Sequence, residues 1–189
     1  MNKRRKLVIA LGAGAFAAPF ISFAQPQGKV WRVGYLAPTS GPDELVEAFR
    51  EQLRTLGYVE GSNLAIDYRW GAGKEERLPE LAAELVRLKV DVIVTRTTIV
   101  AAAAKRATST IPIVMAGSAD PVGGGVIASL SHPGGNVTGL TSNSTEIVSK
   151  RLQLLRELVP KATRIATLTW EKSLTHQLFL EEVRAAARR

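Results

Sequence analysis

The sequence predicts an α/β protein built on a doubly wound parallel sheet. Three observations carry that prediction. Two short β-branched runs, Val92-Ile93-Val94 and Ile111-Pro112-Ile113-Val114, bracket an Ala-rich segment that reads as a helix. Each run ends in small polar residues, Thr95 to Thr98 and Ser118 to Asp120, which is the pattern of parallel strands with polar loops at their carboxyl ends. Strand and helix patterns then alternate along most of the chain, as parallel crossovers require. In open α/β sheets the carboxyl ends of the strands are where ligands bind. The candidate functional residues are therefore sought there.

Taken in order, Val30 to Leu36 is the first strand and Ala37 to Gly41 its small-residue loop. Pro42 fits the first turn of the next helix, with Asp43 and Glu44 suited to its dipole. Leu45, Phe49, Leu53 and Leu56 recur at helical spacing, and Gly57 ends that helix. Leu64 to Trp70 is the second strand, whose Asp67 and Arg69 suggest a sheet edge. Glu75 to Lys89 is a second amphipathic helix with Pro79 confined to its first turn. Asp91 to Thr95, the helix Thr98 to Ala107 and Ile111 to Met115 come next. Pro121 to Leu130 makes a short Gly-rich helix or turn, Pro133 to Asn136 a turn, and Val137 to Leu140 a fifth strand. A capping box from Asn143 to Glu146 then opens a helix carrying Leu152, Leu155 and Leu158. Arg164 to Thr169 reads as a sixth strand and Leu174 to Arg188 as a last helix. One strand between two helices has no sheet of its own, so residues 141–189 read as the opening of a second α/β lobe.

The first 24 residues are set aside from the fold. Lys3, Arg4, Arg5 and Lys6 precede an apolar run from Leu7 to Phe23, and Ser22-Phe23-Ala24 offers small residues before Gln25. This is the pattern of a secretory signal peptide cleaved after Ala24. An uncleaved anchor is the alternative, weakened by the short run and by Pro19. The Arg4-Arg5 pair leaves both the Sec and the twin-arginine route open. The leader predicts export across the membrane. The formal charge of +8 shrinks once these four cations are removed, to 21 basic against 17 acidic residues. The remainder are dispersed, so no basic stripe for nucleic acid survives. The chain has no cysteine, which excludes a disulfide framework, a thiolate nucleophile and a Cys-based metal site.

Three loops carry candidate ligand contacts. Asp120-Pro121 ends the fourth strand: its carboxylate either faces the cleft, to hold an ammonium group, or caps the following helix, and the two roles can coexist. Thr97 and Thr98 open the Ala-rich helix, where hydroxyls and N–H groups either hold a carboxylate or phosphate or form an ordinary cap; Arg96 beside them could add charge. The same logic applies to Thr39 and Ser40 after the first strand. Gly123-Gly124-Gly125 lacks the Lys-Ser/Thr of a phosphate loop and reads as a flexible tight turn. His132 and His176 lack the spacing of a zinc site, so no metal is expected. No GxSxG elbow and no paired Ser are present, so an enzyme such as a secreted hydrolase or transferase is disfavoured. Trp31 and Trp70 read as packing residues, whereas Trp170 could face the cleft.

Several segments resemble a known family: Trp31 to Leu36, Phe49 to Gly61, Asp91 to Val94, Ile111 to Val114, Ala119 to Val122, Pro133 to Gly139, and Lys150 to Pro160. The LGYVEGSN and DPVGGG…HPGGNVTGL segments, in this order, make the likeness specific. The chain resembles the TrpX-like ABC-transporter substrate-binding protein family. The resemblance implies a type I periplasmic-binding fold: two lobes, a hinge and a cleft that closes on a small polar solute, with an amino acid as one candidate. It also implies a membrane permease as partner, no cofactor and no chemistry. Carried over by position, ligand contacts would come from Thr39, Ser40, Thr97, Thr98 and Asp120, and from the crossover at Thr141 and Ser142. The expected organisation is a signal peptide over 1–24, a ligand-binding lobe over 25–140, and a hinge crossover with an incomplete second lobe over 141–189. The chain departs from the family where Trp170-Glu171-Lys172-Ser173 stands in place of an Asn-Pro loop, and where the second lobe is only begun. A sensing module for a receptor and a non-functional fragment are the alternative readings.

Overall fold

The computed structural model describes residues 28–142, 147–168 and 174–188. The signal-peptide reading, the capping box at Asn143–Glu146 and Trp170 lie outside the described residues. Five strands form one sheet: β1 (Trp31–Ala37), β2 (Leu64–Trp70), β3 (Val92–Thr95), β4 (Ile113–Met115) and β5 (Val137–Gly139). All pairings are parallel, in the order β2-β1-β3-β4-β5. The order reverses between β1 and β3, which makes that gap the topological switch point.

The helices are α1 (Glu44–Thr55), α2 (Leu78–Arg87), α3 (Thr98–Ala107), α4 (Val148–Leu158) and α5 (Leu174–Ala187). A single 3₁₀ turn, Glu75–Arg77, leads into α2, with Pro79 in the first turn of that helix. The sheet alternation assigns the two cores. On one face Leu36, Ile93, Ile113, Met115 and Val137 bury against α2 and α3 through Leu81, Leu85, Val100 and Ala104. On the other, Val33, Tyr35 and Val94 meet α1 through Val46, Phe49 and Leu53. Right-handed crossovers require this split, because the chain moves outward from β1 to β2 and then back across β1 to β3. Gly34 on β1 leaves room for Leu85, whose methyls would lie 3.0 Å from a Cβ at that position.

β2 is an edge strand, as its charges suggested. Asp67 accepts from Arg32 at 2.9 Å, and Arg69 reaches Glu84 on α2 at 2.5 Å. Three expectations are corrected. Pro42 precedes α1 instead of entering it: Asp43 is the N-cap, with extended φ and ψ of −135° and −178°, and its carboxylate accepts from Val46 N at 3.2 Å. Trp31 does not pack in the core; it is exposed, with Lys29 Nζ 3.7 Å from its ring centroid. Residues 164–168, expected within a sixth strand, form no strand, and Leu168 is fully exposed. Among the described residues no strand of the sheet pairs with this segment, and without a ladder to join its N–H and C=O groups have no strand partner. α4 and α5 pack on each other, α5 touches α3, and Leu154, Leu158 and Ile165 stay exposed.

Candidate ligand-binding site

The loops leaving β1, β3, β4 and β5 emerge at one edge of the sheet, since all four strands run parallel. That edge collects all seven candidate residues. The loop after β1 is held by the loop after β2: Gly71, Ala72 and Gly73 donate their N–H groups to the carbonyls of Ala37, Thr39 and Pro38 at 2.8, 2.9 and 2.7 Å. Thr39 Oγ1 donates to the Gly41 carbonyl at 3.1 Å, and Ser40 beside it is exposed. Thr39 is thus turned into its own loop, while Ser40 faces solvent.

After β3, Thr97 caps α3, its hydroxyl accepting from Val100 N at 3.4 Å. Thr98 is buried and shares a 2.7 Å hydrogen bond with the buried Ser118 hydroxyl after β4. Its Oγ1 also accepts from Asp120 N at 3.4 Å. Thr98 is therefore a strut between the β3 and β4 loops. The β5 loop is tied to the same point: Thr141 Oγ1 and Ser142 N donate to the Ser118 carbonyl at 3.0 and 2.8 Å. Ser118 joins three loops. Sequence reasoning passed over it, although a small hydroxyl residue just beyond a strand and two before Asp-Pro was a usable signal.

Asp120 takes the capping alternative with one oxygen. Its Oδ1 accepts from Gly123 N at 2.7 Å, and Gly124 N donates to its carbonyl at 3.1 Å. The glycine run forms a tight turn in which two glycines are required by space: a Cβ on Gly123 would collide with the Asp120 carboxylate, and one on Gly124 with the Thr98 methyl. The turn fixes the carboxylate and, among the described residues, leaves Oδ2 without a hydrogen-bond donor.

Across the switch point, Arg96 Nη1 donates to Asp43 Oδ2 at 2.5 Å, joining the β3 loop to the N-cap of α1. That hydrogen bond holds the Asp43 carboxyl below the usual carboxylate range. Burial pushes the neighbouring Tyr35 hydroxyl up, and Arg96 pulls it partly back. Trp70, at the same end of β2, stacks on Tyr68 with centroids 5.5 Å apart and planes 9° apart, in the packing role expected of it. No group of three or more His, Cys, Asp or Glu residues able to hold a metal occurs among the described residues.

Residues 33–188 match the family model described as ABC transporter substrate binding protein. The chain belongs to the ABC transporter substrate-binding protein family. Substrate-binding proteins of this kind hold a solute and are not enzymes. The chain is 37% identical over 126 residues to a tyrosine-binding protein of Clostridioides difficile, an alignment covering 67% of this chain and 36% of that protein. Among solved structures it is similar to a conserved domain protein of Vibrio cholerae, with a TM-score of 0.73, 29% identity, and 85% of this chain against 54% of that one covered. It is also similar to a domain of a Streptococcus pneumoniae ABC protein in complex with L-Trp, with a TM-score of 0.69, 27% identity, and coverage of 82% and 52%. The chain thus spans about half the length of these solved relatives and a smaller share of the curated one. The parallel five-stranded sheet with flanking helices is the lobe architecture of type I periplasmic-binding proteins.

Proposed function

We propose that this substrate-binding protein captures an amino acid, an aromatic one first among candidates, at the carboxyl edge of its sheet and hands it to a membrane permease. The observation that carries the reading is the convergence on Ser118, which ties the β3, β4 and β5 loops into one rim beside a preset Asp120 carboxylate. A carboxylate fixed on one oxygen and open on the other suits an ammonium group. Ser40 and Ser142, both exposed, supply hydroxyls along the same rim, with Thr39, Thr97, Thr98 and Thr141 setting its shape. The names of two relatives, one tyrosine-binding and one in complex with L-Trp, support the choice of ligand class.

The same reading assigns residues 25–140 to the ligand-binding lobe and 141–189 to the crossover and the start of a second lobe. It also assigns 1–24 to an export signal, with the mature protein in the periplasm. Mass spectrometry of exported material should find Gln25 at the amino terminus; an intact Met1 on membrane-bound protein would support an anchor instead. No described helix is long and apolar enough to cross a membrane. Saturation-transfer NMR with L-tyrosine, L-tryptophan, L-leucine and glucose tests the ligand class and detects weak binding. Transfer to the aromatic amino acids and none to glucose is expected. Equal transfer to all four, or to none, would overturn the assignment.

A further inference from the structure

We infer that Arg96 is the residue that takes the carboxylate of the solute, and that Asp43 is the resident counter-ion holding the guanidinium ready at the switch point. The inference rests on the reading of the chain as an amino-acid binder. Its geometry comes from the strand order. Asp43 stands at the start of α1, on one face of the sheet, and Arg96 opens the β3 loop that leads to α3, on the other. The pair therefore spans the gap where the crossovers part, which is the crevice that ligands enter in doubly wound sheets.

A guanidinium carries five N–H donors in a planar fork. Among the described residues Arg96 donates from Nη1 to Asp43 and also hydrogen-bonds the Tyr35 hydroxyl, which leaves part of the fork unused. The Arg96 side chain is only 18% exposed, so its remaining donors are not those of a freely solvated surface arm. Half-desolvated donors without acceptors are costly, and a carboxylate matches the fork in two parallel bonds. Asp43 is not free to follow the ligand, since its Oδ1 is committed to Val46 N. It stays behind as a fixed negative charge that orients Arg96 and weakens the grip on an incoming carboxylate. Arg96 and the open oxygen of Asp120 would then take the two charged ends of a zwitterion from neighbouring loops.

A plain structural ion pair would make loss of either partner harmful in the same direction. A carboxylate-binding Arg96 restrained by Asp43 requires opposite directions. Affinities of the full chain for L-tryptophan and L-tryptophanamide are measured by NMR titration for the wild type, Arg96→Gln, Arg96→Lys and Asp43→Asn. Arg96→Gln should weaken L-tryptophan binding at least tenfold and leave the amide unchanged. Arg96→Lys should fall between, keeping the charge without the fork. Asp43→Asn should retain the cap, because Asn caps as well as Asp, and should tighten L-tryptophan binding severalfold. This variant keeps the test decisive if Arg96→Gln fails to fold. Weakening by both Arg96→Gln and Asp43→Asn, for acid and amide alike, would overturn the carboxylate assignment and leave the amino-acid reading standing. So would tryptophan binding indifferent to Arg96→Gln. No response of the wild type to either probe would overturn the amino-acid reading and this assignment with it.

Discussion

Thr95 and Thr98 lie three residues apart, both buried, and the same substitution should move stability in opposite directions. Thr98 Oγ1 shares a 2.7 Å bond with Ser118 Oγ and accepts from Asp120 N. Thr98→Val keeps the shape, removes the hydroxyl and leaves the buried Ser118 hydroxyl unpaired, at a cost of about 1–3 kcal/mol. Thr95 Oγ1 is buried on the core side of β3, in register with Leu36 and Met115, and has no hydrogen-bond partner among the described residues. Thr95→Val removes that orphan and adds a methyl group suited to a strand, so stability should rise by about 1 kcal/mol or more. Ser118→Ala closes a double-mutant cycle with Thr98→Val. It spares the Ser118 carbonyl that anchors Thr141 and Ser142, and removing both hydroxyls should cost about 1 kcal/mol less than the two single losses together. Urea unfolding midpoints at constant slope measure all of these proteins. A shift of the same sign for Thr95→Val and Thr98→Val would refute the reasoning, as would strict additivity of the Thr98 and Ser118 changes. A destabilising Thr95→Val would mean that this hydroxyl has an acceptor or donor that the described residues do not supply.

Gly139 has φ of +140°, and a Cβ there would run into the Met115 carbonyl across the β4–β5 pairing. Gly139→Ala should therefore cost more than about 1 kcal/mol and speed amide exchange at Met115 and Leu140; unchanged exchange would contradict the close approach. The Tyr68 hydroxyl is buried without a hydrogen-bond partner among the described residues, and burial first, then Glu60, pushes it up to about 12. The folded state thus resists losing this proton, so its contribution is full below pH ~10, where the unfolded tyrosine titrates, and is lost as the pH rises toward the folded value. Stability should fall across that window, and Tyr68→Phe should flatten the fall; an identical alkaline profile in the variant would refute the assignment. In dilute protein, amides of residues 148–158 should exchange faster than those of β3 and β4, because Leu154, Leu155 and Leu158 are left exposed. Equal protection would show that this segment has a stable seat on the sheet.

Local patterning makes much of the sheet legible. Val92-Ile93-Val94 and Ile113-Val114-Met115 are too short and too β-branched for helices, and Thr98–Ala107 is bounded where a Thr cap and a Thr-Ser-Thr break bound it. The site is legible only as a set of loops. Arg96 and Asp43 are 53 positions apart, and nothing in the spacing says that they meet; the reversal of strand order brings them together. The Thr98–Ser118 strut depends likewise on β3 and β4 being neighbours. The sequence leaves two outcomes open for Asp120; the glycine turn after it realises the capping one by presenting Gly123 N to Oδ1, and the ligand contact proposed for Oδ2 is compatible with it. Residues 164–168 have the composition of a strand and lack the partner that would make them one, which no local pattern can reveal. Family likeness supplies the fold and the family membership, while the packing around Ser118 and Arg96 emerges only from the three-dimensional arrangement.

The central claim is that an amino acid is held by the loops at the carboxyl edge of the sheet. Backbone amide shifts in a ¹⁵N-labelled full chain titrated with L-tryptophan test it most directly. Shifts should cluster at Thr39–Ser40, Arg96–Thr98, Ser118–Gly123 and Thr141–Ser142, with the amino ends of the strands silent. The groove between α1 and β2, lined by Arg50, Glu60 and Ile66, lies away from these loops. Shifts gathered in that groove, or none at the carboxyl edge with ligand in large excess, would contradict it.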